Sequence, residues 1–340
     1  MKHRLLQVLK ENSGRFVSGE ELGEYLKVSR TAVWKHIKEL KQEGCLIQAS
    51  TKKGYKLIYS PDVITEDELK YDLNTEIFGS KIFCFNEIDS TNNYAKKIAL
   101  EGCDNGTVII ADRQLSGRGR MGRTWHSPAG KGIWMSVVLR PSVGPEDVQM
   151  ITLAASVAVV DAVRRATGIE GGIKWPNDIV LDGKKVCGIL TEMSSELDQI
   201  GFLVIGIGIN VNHGREDFDE MLRDKATSLR IYAGEKGVSP RYGESGGTFA
   251  RIGIVRNLLQ ELEAVFKKVE NNRIPEIIEK WKRYSVTLGR EVRVTSRDGC
   301  YTGVARDITP EGKLVVYGRD GVNREVLSGE IQVRGLMGYV

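Results

Sequence analysis

Residues 114–128 read Gln-Leu-Ser-Gly-Arg-Gly-Arg-Met-Gly-Arg-Thr-Trp-His-Ser-Pro, three glycines and three arginines between two strand-like runs. A loop of this kind is suited to closing on an anion. Gly117, Gly119 and Gly122 let the backbone approach a ligand, while Arg118, Arg120 and Arg123 carry permanent charges whose forked donors match phosphate or carboxylate. Ordering a residue costs roughly 1–2 kcal/mol of backbone entropy. The empty loop is therefore expected to be mobile, and a bound anion to order it. Unlike an RNA-associating arginine–glycine tract, which repeats over long stretches, this one occurs once and runs into Trp125 and the apolar run Ile133 to Leu139.

Outward from the loop, the strand Val108 to Ala111 delivers Gln114, and a long helix is expected from about Pro145 to Thr167. Upstream, the alternating run Lys81 to Glu87 is followed by Asp89-Ser90-Thr91-Asn92 and a helix through Tyr94, Ala95, Ile98 and Ala99. Ser90 or Thr91 reads either as a helix cap or as part of a helix start that offers free N–H groups to a polar ligand. Downstream, Lys174-Trp175-Pro176-Asn177-Asp178 opens a strand, Asp182-Gly183 turns it, and the return strand places Lys185 at the turn end. Gly206-Ile207-Gly208-Ile209-Asn210 lacks the third glycine and the following helix of a dinucleotide fingerprint, so closely packed strand glycines are the better reading. A flexible insertion is expected at 233–247, and helices at about 250–269 and 274–284 complete the domain. Short alternating runs separated by Asp298-Gly299, Glu311-Gly312 and Asp320-Gly321 then describe a small all-β barrel.

The N-terminal stretch differs in charge. Residues 1–60 hold 12 Lys+Arg against 6 Asp+Glu, a net of +6, whereas the other 280 hold 37 against 39. Three helical segments, the second and third capped by Ser18 and Ser29, precede two apolar runs joined by Ser50-Thr51-Lys52-Lys53-Gly54, a hairpin with a basic tip. This is the pattern of a winged helix-turn-helix, and the localised charge favours DNA. Ser29, Arg30, Thr31, Trp34 and Lys35 on the third helix and Lys52 and Lys53 on the wing are the candidate contacts. Trp34 is open between base contact and half-buried packing.

The bulk properties narrow the class. The sequence of 340 residues is 41% hydrophobic and contains no apolar run near the roughly 20 residues a membrane span needs. Met1-Lys2-His3-Arg4 leads straight into an amphipathic segment, so no secretory leader is expected. Five scattered cysteines without a C-x-x-C pair suggest neither disulfides nor zinc, which suits a cytoplasmic protein.

Asp89-Ser90-Thr91-Asn92, Gly117-Arg118-Gly119-Arg120-Met121-Gly122-Arg123, Lys174-Trp175-Pro176-Asn177-Asp178 and Lys185-Val186-Cys187-Gly188-Ile189-Leu190 together resemble the biotin–protein ligases. With the winged helix, the chain resembles the bifunctional type that also represses biotin biosynthesis genes, over essentially its full length. The resemblance implies an α+β protein with three domains: a winged helix-turn-helix at 1–60, a mixed-sheet ligase domain at 61–285 and an SH3-like β-barrel at 286–340. It implies that biotin and MgATP give biotinyl-5′-AMP, that biotin passes to a lysine on the biotin carrier domain of a carboxylase, and that the adenylate acts as corepressor by promoting a homodimer on operator DNA. A carboxylate nucleophile is already ionised at neutral pH, so the chemistry needs cations rather than a general base.

Carried over, Ser90, Thr91, Asn92, Gln114, Gly117, Arg118, Gly119, Arg120, Lys185 and Gly188 would contact biotin or its adenylate, and Arg123, Lys174 and Asn210 the nucleotide or its phosphates. Arg118, Arg120, Lys185 and Asp178 would be catalytic, with Asp178 either a Mg²⁺ ligand or an orienter of the incoming lysine. His126 and His213 are expected to be structural or exposed, and Phe218 is the one aromatic between Asn212 and Leu229 available to adenine. A lipoate-ligase-like enzyme and a ligand-sensing repressor without turnover are the alternative readings.

Overall fold

The computed structural model describes residues 1–12, 14–142, 144–196, 199–238, 243–244, 247–296, 299–328 and 332–335. They fall into two compact units, one formed by Met1–Asp72 with Glu244 and the other by Leu73–Gly243 with the residues from 247 on.

In the first unit, α1 (Lys2–Glu11), α2 (Gly19–Leu26) and α3 (Arg30–Gln42) precede the hairpin β1 (Leu46–Ser50) and β2 (Gly54–Tyr59), then the short α4 (Glu66–Lys70). Local chemistry sets the helix starts: Ser18 Oγ accepts from Glu21 N–H at 3.0 Å and Ser29 Oγ from Ala32 N–H at 3.3 Å. Leu5, Leu9, Leu22, Leu26, Val33 and Leu40 meet in one core beneath the hairpin. Val17 adds a third strand residue to the wing by exchanging both backbone hydrogen bonds with Tyr55, each at 2.8 Å. The result is a helix-turn-helix with a wing, and α3 leaves its outer face uncovered.

The second unit is built on a seven-stranded mixed sheet. Its strands are β3 (Ile82–Ile88), β4 (Val108–Gln114), β5 (Gly132–Leu139), β6 (Gly172–Lys174), β7 (Asp178–Leu181), β8 (Lys184–Glu196) and β9 (Gln199–Asn210), in the order β3-β4-β5-β9-β8-β7-β6. Only β3 and β4 run parallel, joined by α5 (Thr91–Leu100). The long helix α6 (Val148–Thr167) begins after a 3-10 turn at Pro145–Asp147 and is buried on nearly every side, because α8 (Arg251–Glu270) and α9 (Ile274–Tyr284) cover it away from the sheet. Asp182 and Gly183, at φ of 46° and 78°, form the expected tight turn between β7 and β8.

Part of the expected insertion is ordered structure: α7 (Leu229–Lys236) runs into the 233–247 range, followed by β10 (Gly243–Glu244) and β11 (Thr248–Phe249). Residues 239–242 and 245–246 lie outside the described residues. The C-terminal strands β12 (Glu291–Ser296), β13 (Gly299–Ile308), β14 (Leu314–Gly318), β15 (Asn323–Val326) and β16 (Gln332–Gly335) form an antiparallel sheet in the order β15-β14-β13-β12-β16. This sheet abuts the larger one directly: Trp175 Nε1 donates to Gly312 O at 3.1 Å, and Gly312 packs against Leu153 of α6.

Candidate functional site

A cavity of about 760 Å³ gathers the arginine loop, the start of α5, the 174–178 turn, the beginning of β8, the end of β9 and the loop 217–226. Sheet register explains how such distant segments meet. Because β3 and β4 are parallel, Ile88 pairs with Gln114, and the chain beyond stays zipped: Leu115 N–H donates to Ile88 O at 2.9 Å and Ser116 N–H to Asp89 O at 2.8 Å. The loop base is thereby held beside Ser90. Its far end returns to the same point, since Gln114 N–H donates to Ser127 O at 3.1 Å.

The floor of the cavity is a buried polar network. Ser90 caps α5, and Thr91 gives both its N–H and its hydroxyl to Gln114 Oε1, at 2.9 and 3.0 Å. Gln114 Nε2 donates to Ser127 Oγ at 2.9 Å, which in turn donates to Trp125 O at 3.0 Å. On the other side, Ser136 Oγ lies 2.7 Å from Thr91 Oγ1 and 2.6 Å from Asn92 Oδ1, while Asn92 Nδ2 donates to Glu192 Oε2 at 2.8 Å. Lys96 Nζ holds the other oxygen of Glu192 at 2.8 Å. Burial works to raise the Glu192 pKa, but the hydrogen bonds from Lys96 and Asn92 and the nearby charges of Lys96 and Arg118 outweigh it and hold the carboxyl below its ordinary range.

Glycines set the depth of the cavity. A Cβ on Gly206 would fall 2.1 Å from Asn92 Oδ1, and one on Gly208 2.5 Å from Trp125 Nε1. Gly208 and Gly188 are register partners, so the Trp125 ring lies over two neighbouring strands that present no side chain. The strand glycines are thus closely packed, and there is no dinucleotide turn. Lys185 Nζ stands 5.0 Å from the centroid of the Trp125 ring and 2.6 Å from Asp178 Oδ1. The lysine is anchored through its backbone as well: its N–H donates to Lys225 O and its carbonyl accepts from Thr227 N–H, both at 2.8 Å.

At the rim, Gly119 N–H donates to Arg123 O at 2.7 Å, Trp125 N–H donates to Gly117 O at 2.9 Å, and Arg120–Gly122 forms one 3-10 turn. Arg118 and Arg123 are exposed. Arg120 turns inward: Nη1 donates to Asn177 Oδ1 at 3.2 Å and Nη2 to the carbonyl of Ser328 in the C-terminal domain. Burial lowers the Arg120 pKa, with Asp178 opposing and Arg123 adding to the shift. Asn177 is itself fixed by donating to Ile189 O at 2.6 Å. The Trp175–Pro176 peptide is cis.

Lys174 lines the cavity and is largely buried. Asn210 also lines it, but spends its Nδ2 on Thr227 O at 3.1 Å, which holds the 217–226 loop in place. Phe218 stacks on His213, with ring centroids 5.2 Å apart and planes 27° apart. His213 is only 1% exposed, and burial drives its pKa down to about 4; His126 is exposed. Trp125, Asn177, Ser127, Ser136 and Glu192 are not in the expected set; Trp125 and Ser127 fall in the 114–128 stretch and Asn177 in the 174–178 motif, whereas Ser136 and Glu192 lie outside every motif. Among the described residues no three His, Cys, Asp or Glu side chains cluster to hold a metal ion, and no helix is long and apolar enough to cross a membrane.

The candidate DNA surface lies wholly in the first unit. Arg30, Thr31, Trp34 and Lys35 are exposed on one end and face of α3, beside the exposed cap Ser29, and Lys52 and Lys53 are exposed in the wing turn. Trp34 is 57% exposed with Lys38 Nζ 5.7 Å from its ring centroid, so half-buried packing is not its role.

The profile of the Biotin/lipoate A/B protein ligase family matches residues 84–210, an HTH domain profile matches 2–56, and the Biotin protein ligase C terminal domain matches 287–334. The bifunctional ligase/repressor BirA of Bacillus spizizenii is 38% identical over 98% of both chains. That of Escherichia coli is 30% identical over 95% of this chain and 94% of its own. Among solved structures, the biotin protein ligase of Aquifex aeolicus in complex with biotin and ATP superposes with a TM-score of 0.62 at 29% identity, covering 75% of this chain and 99% of that one. Four sequence motifs that converge on one cavity, a winged helix-turn-helix and this near full-length likeness have one conclusion: the chain belongs to the family of bifunctional biotin ligase/repressors.

Proposed function

We propose that the protein joins biotin to ATP, giving biotinyl-5′-AMP and pyrophosphate, and then passes the biotinyl group to a lysine of a biotin carrier domain of a biotin-dependent carboxylase such as acetyl-CoA carboxylase. The observation that carries this reading is the single cavity, in which a neutral hydrogen-bonding floor lies opposite cationic side chains. Ser90, Thr91, Asn92 and Gln114 form the end suited to a polar, uncharged ring. Arg118, Arg120, Arg123, Lys174 and Lys185 supply the charge suited to a carboxylate and phosphates.

In the first step the biotin carboxylate attacks the α-phosphate and pyrophosphate leaves. Lys185, 2.6 Å from Asp178, and Arg120, which feels the Asp178 charge, stabilise the added charge on the phosphorus oxygens. Arg118, with Gly117, Gly119 and Gly188 allowing close approach, folds over the adenylate, and Asn210 fixes the nucleotide side. In the second step a carrier lysine attacks the acyl carbon and AMP leaves, while Asp178 orients the amine. Magnesium sites on nucleotides commonly take one or two carboxylates plus phosphate oxygens, and Asp178, which lines the cavity beside Lys185, can supply such a carboxylate. Mg²⁺ arriving with ATP would be held there and would neutralise phosphate charge.

The domains run 1–60, 61–285 and 286–340, and the protein works in the cytoplasm. Residues 1–60 bind operator DNA through Ser29, Arg30, Thr31, Trp34, Lys35, Lys52 and Lys53, two copies meeting a two-fold site when the adenylate favours a homodimer. A ligand bound more tightly by the dimer must, by linkage, promote that dimer.

The test is mass spectrometry of the ligand retained by the protein after incubation with MgATP and biotin, with lipoate in parallel. Biotinyl-5′-AMP is expected. Adenylation of lipoate alone would move the protein to the neighbouring ligases, and no adenylate from either would make it a sensor without turnover.

A further inference from the structure

Building on the ligase reading, in which Lys174 and Asp178 serve the phosphates of ATP, we infer that Thr287, in the connector that follows α9, is a positioning residue for the nucleotide end of the cavity. Thr287 does not itself line the cavity. Its hydroxyl takes the last backbone donor of the β6 edge and thereby fixes the turn that carries Lys174 and Asp178. β6 is an edge of the large sheet, and an edge strand keeps a row of backbone groups that need partners. The connector covers that row. Ser285 bridges Ile173 in parallel, Val286 N–H donates to Ile173 O at 2.9 Å, and a Cβ on Gly172 would fall 2.3 Å from Val286 Cγ1. The next donor on this side is Trp175 N–H. It donates to a side chain rather than to a backbone carbonyl, namely Thr287 Oγ1 at 2.9 Å, and Pro176 has no N–H to follow it.

Thr287 is well placed to act as a fixed point. It is only 5% exposed, and its own N–H and that of Leu288 donate to Ser285 Oγ, each at 3.2 Å. Trp175 is gripped a second time through Nε1 on Gly312 O. Lys174 lies between the two edge residues Ile173 and Trp175 and is register partner to Asp178 on the other side of the strand. Beyond the proline, Asn177 O accepts from Ile189 N–H at 3.0 Å and Asn177 Nδ2 donates to Ile189 O at 2.6 Å. The turn is thus held from β8 at one end and from Thr287 at the other. A buried N–H that loses its acceptor costs more than the bond contributed, so removing the hydroxyl favours a shift of the Trp175 backbone, and Lys174 shifts with it. The floor is tied through Gln114, Ser127, Ser136 and Glu192 instead, so the biotin end does not follow.

Two comparisons remove the hydroxyl at nearly constant shape: the parent against Thr287→Val, and Thr287→Ser against Thr287→Ala. In the full-length protein, biotin affinity is read by calorimetry and the MgATP step by biotin-dependent exchange of labelled pyrophosphate into ATP. Within each pair, loss of the hydroxyl is expected to lower kcat/KM for MgATP about tenfold, the scale of one orphaned buried N–H, while the biotin dissociation constant changes by less than about twofold. The second pair decides alone if Thr287→Val does not fold. Unchanged MgATP kinetics, a loss that follows the methyl group rather than the hydroxyl, or an equal loss in biotin affinity would overturn the inference, and a fall in melting temperature without a kinetic change would reduce Thr287 to packing. An unaltered protein that exchanges no pyrophosphate would overturn the ligase reading and this inference together, before any substitution is made.

Discussion

The floor and the rim of the cavity are built on opposite plans. The floor is buried at Asn92, Ser136, Thr91 and Ser127 and half-buried at Glu192 and Gln114, neutral toward the ligand and tied residue to residue. The rim is largely exposed and cationic, held by a few backbone hydrogen bonds within its own loop and by the side chain of Arg120, which reaches Asn177 and the Ser328 carbonyl. Preorganised polar groups discriminate between ligands, because a wrong ligand leaves them unpaired; a charged loop with little packing of its own gains most of its order from what it closes on. On the proposed function, recognition would fall to the floor and retention to the rim.

The sharpest way to break that division is Gly206→Val. The added side chain would drive Asn92 from its place and undo two floor hydrogen bonds, so biotin affinity should fall on the order of a thousandfold by calorimetry, with cavity misfit adding to the lost bonds. Survival of tight binding would mean that the network is not what recognises biotin.

The next effect lies behind the nucleotide side. His213 is neutral in the folded protein down to about pH 4, whereas an exposed histidine titrates near 6.5. Its folded pKa is depressed, so the unfolded chain binds the extra proton first. Stability is then full above pH 6.5 and declines as pH falls toward 4, by about 3 kcal/mol from this group. His213→Asn should flatten the fall in melting temperature over that window, and an unchanged slope would remove His213 as its cause.

On the rim, Arg120→Gly should accelerate adenylate release by roughly ten- to thirtyfold, the worth of a charge-assisted hydrogen bond, while the melting temperature moves by only a few degrees. An unchanged dissociation rate in stopped-flow measurements would shift retention away from the loop. The smallest effect is expected where the two regions join. Ser127→Ala deprives Gln114 Nε2 of its acceptor and should weaken biotin about fivefold, near 1 kcal/mol.

What the sequence disclosed was mostly local. The caps Ser18 and Ser29, the Asp182-Gly183 turn and the charge of residues 1–60 depend on neighbours within a few positions. Glu192 was silent because its partner Asn92 is 100 residues away and only the register of β5, β9 and β8 brings them together. The close packing of Gly206 and Gly208 was legible, but Asn92 and Trp125 as the groups packed on them were not. The ordered helix inside the supposed insertion was hidden by Gly234 and Gly237, whose low helix propensity lowers any helical reading; Gly237, at φ of 66°, in fact ends the helix.

The position of Trp125 gives the cavity an optical reporter. Of the five tryptophans, Trp134 and Trp281 are sealed in the cores and Trp34 lies out on α3; Trp175 and Trp125 line the cavity, Trp175 fully buried and Trp125 partly exposed to it. Its indole rides on the arginine loop and faces the Lys185 ammonium at 5.0 Å. Loop closure and the arrival of an anion beside that ammonium would both change its surroundings, so intrinsic emission can follow occupancy in real time without a label.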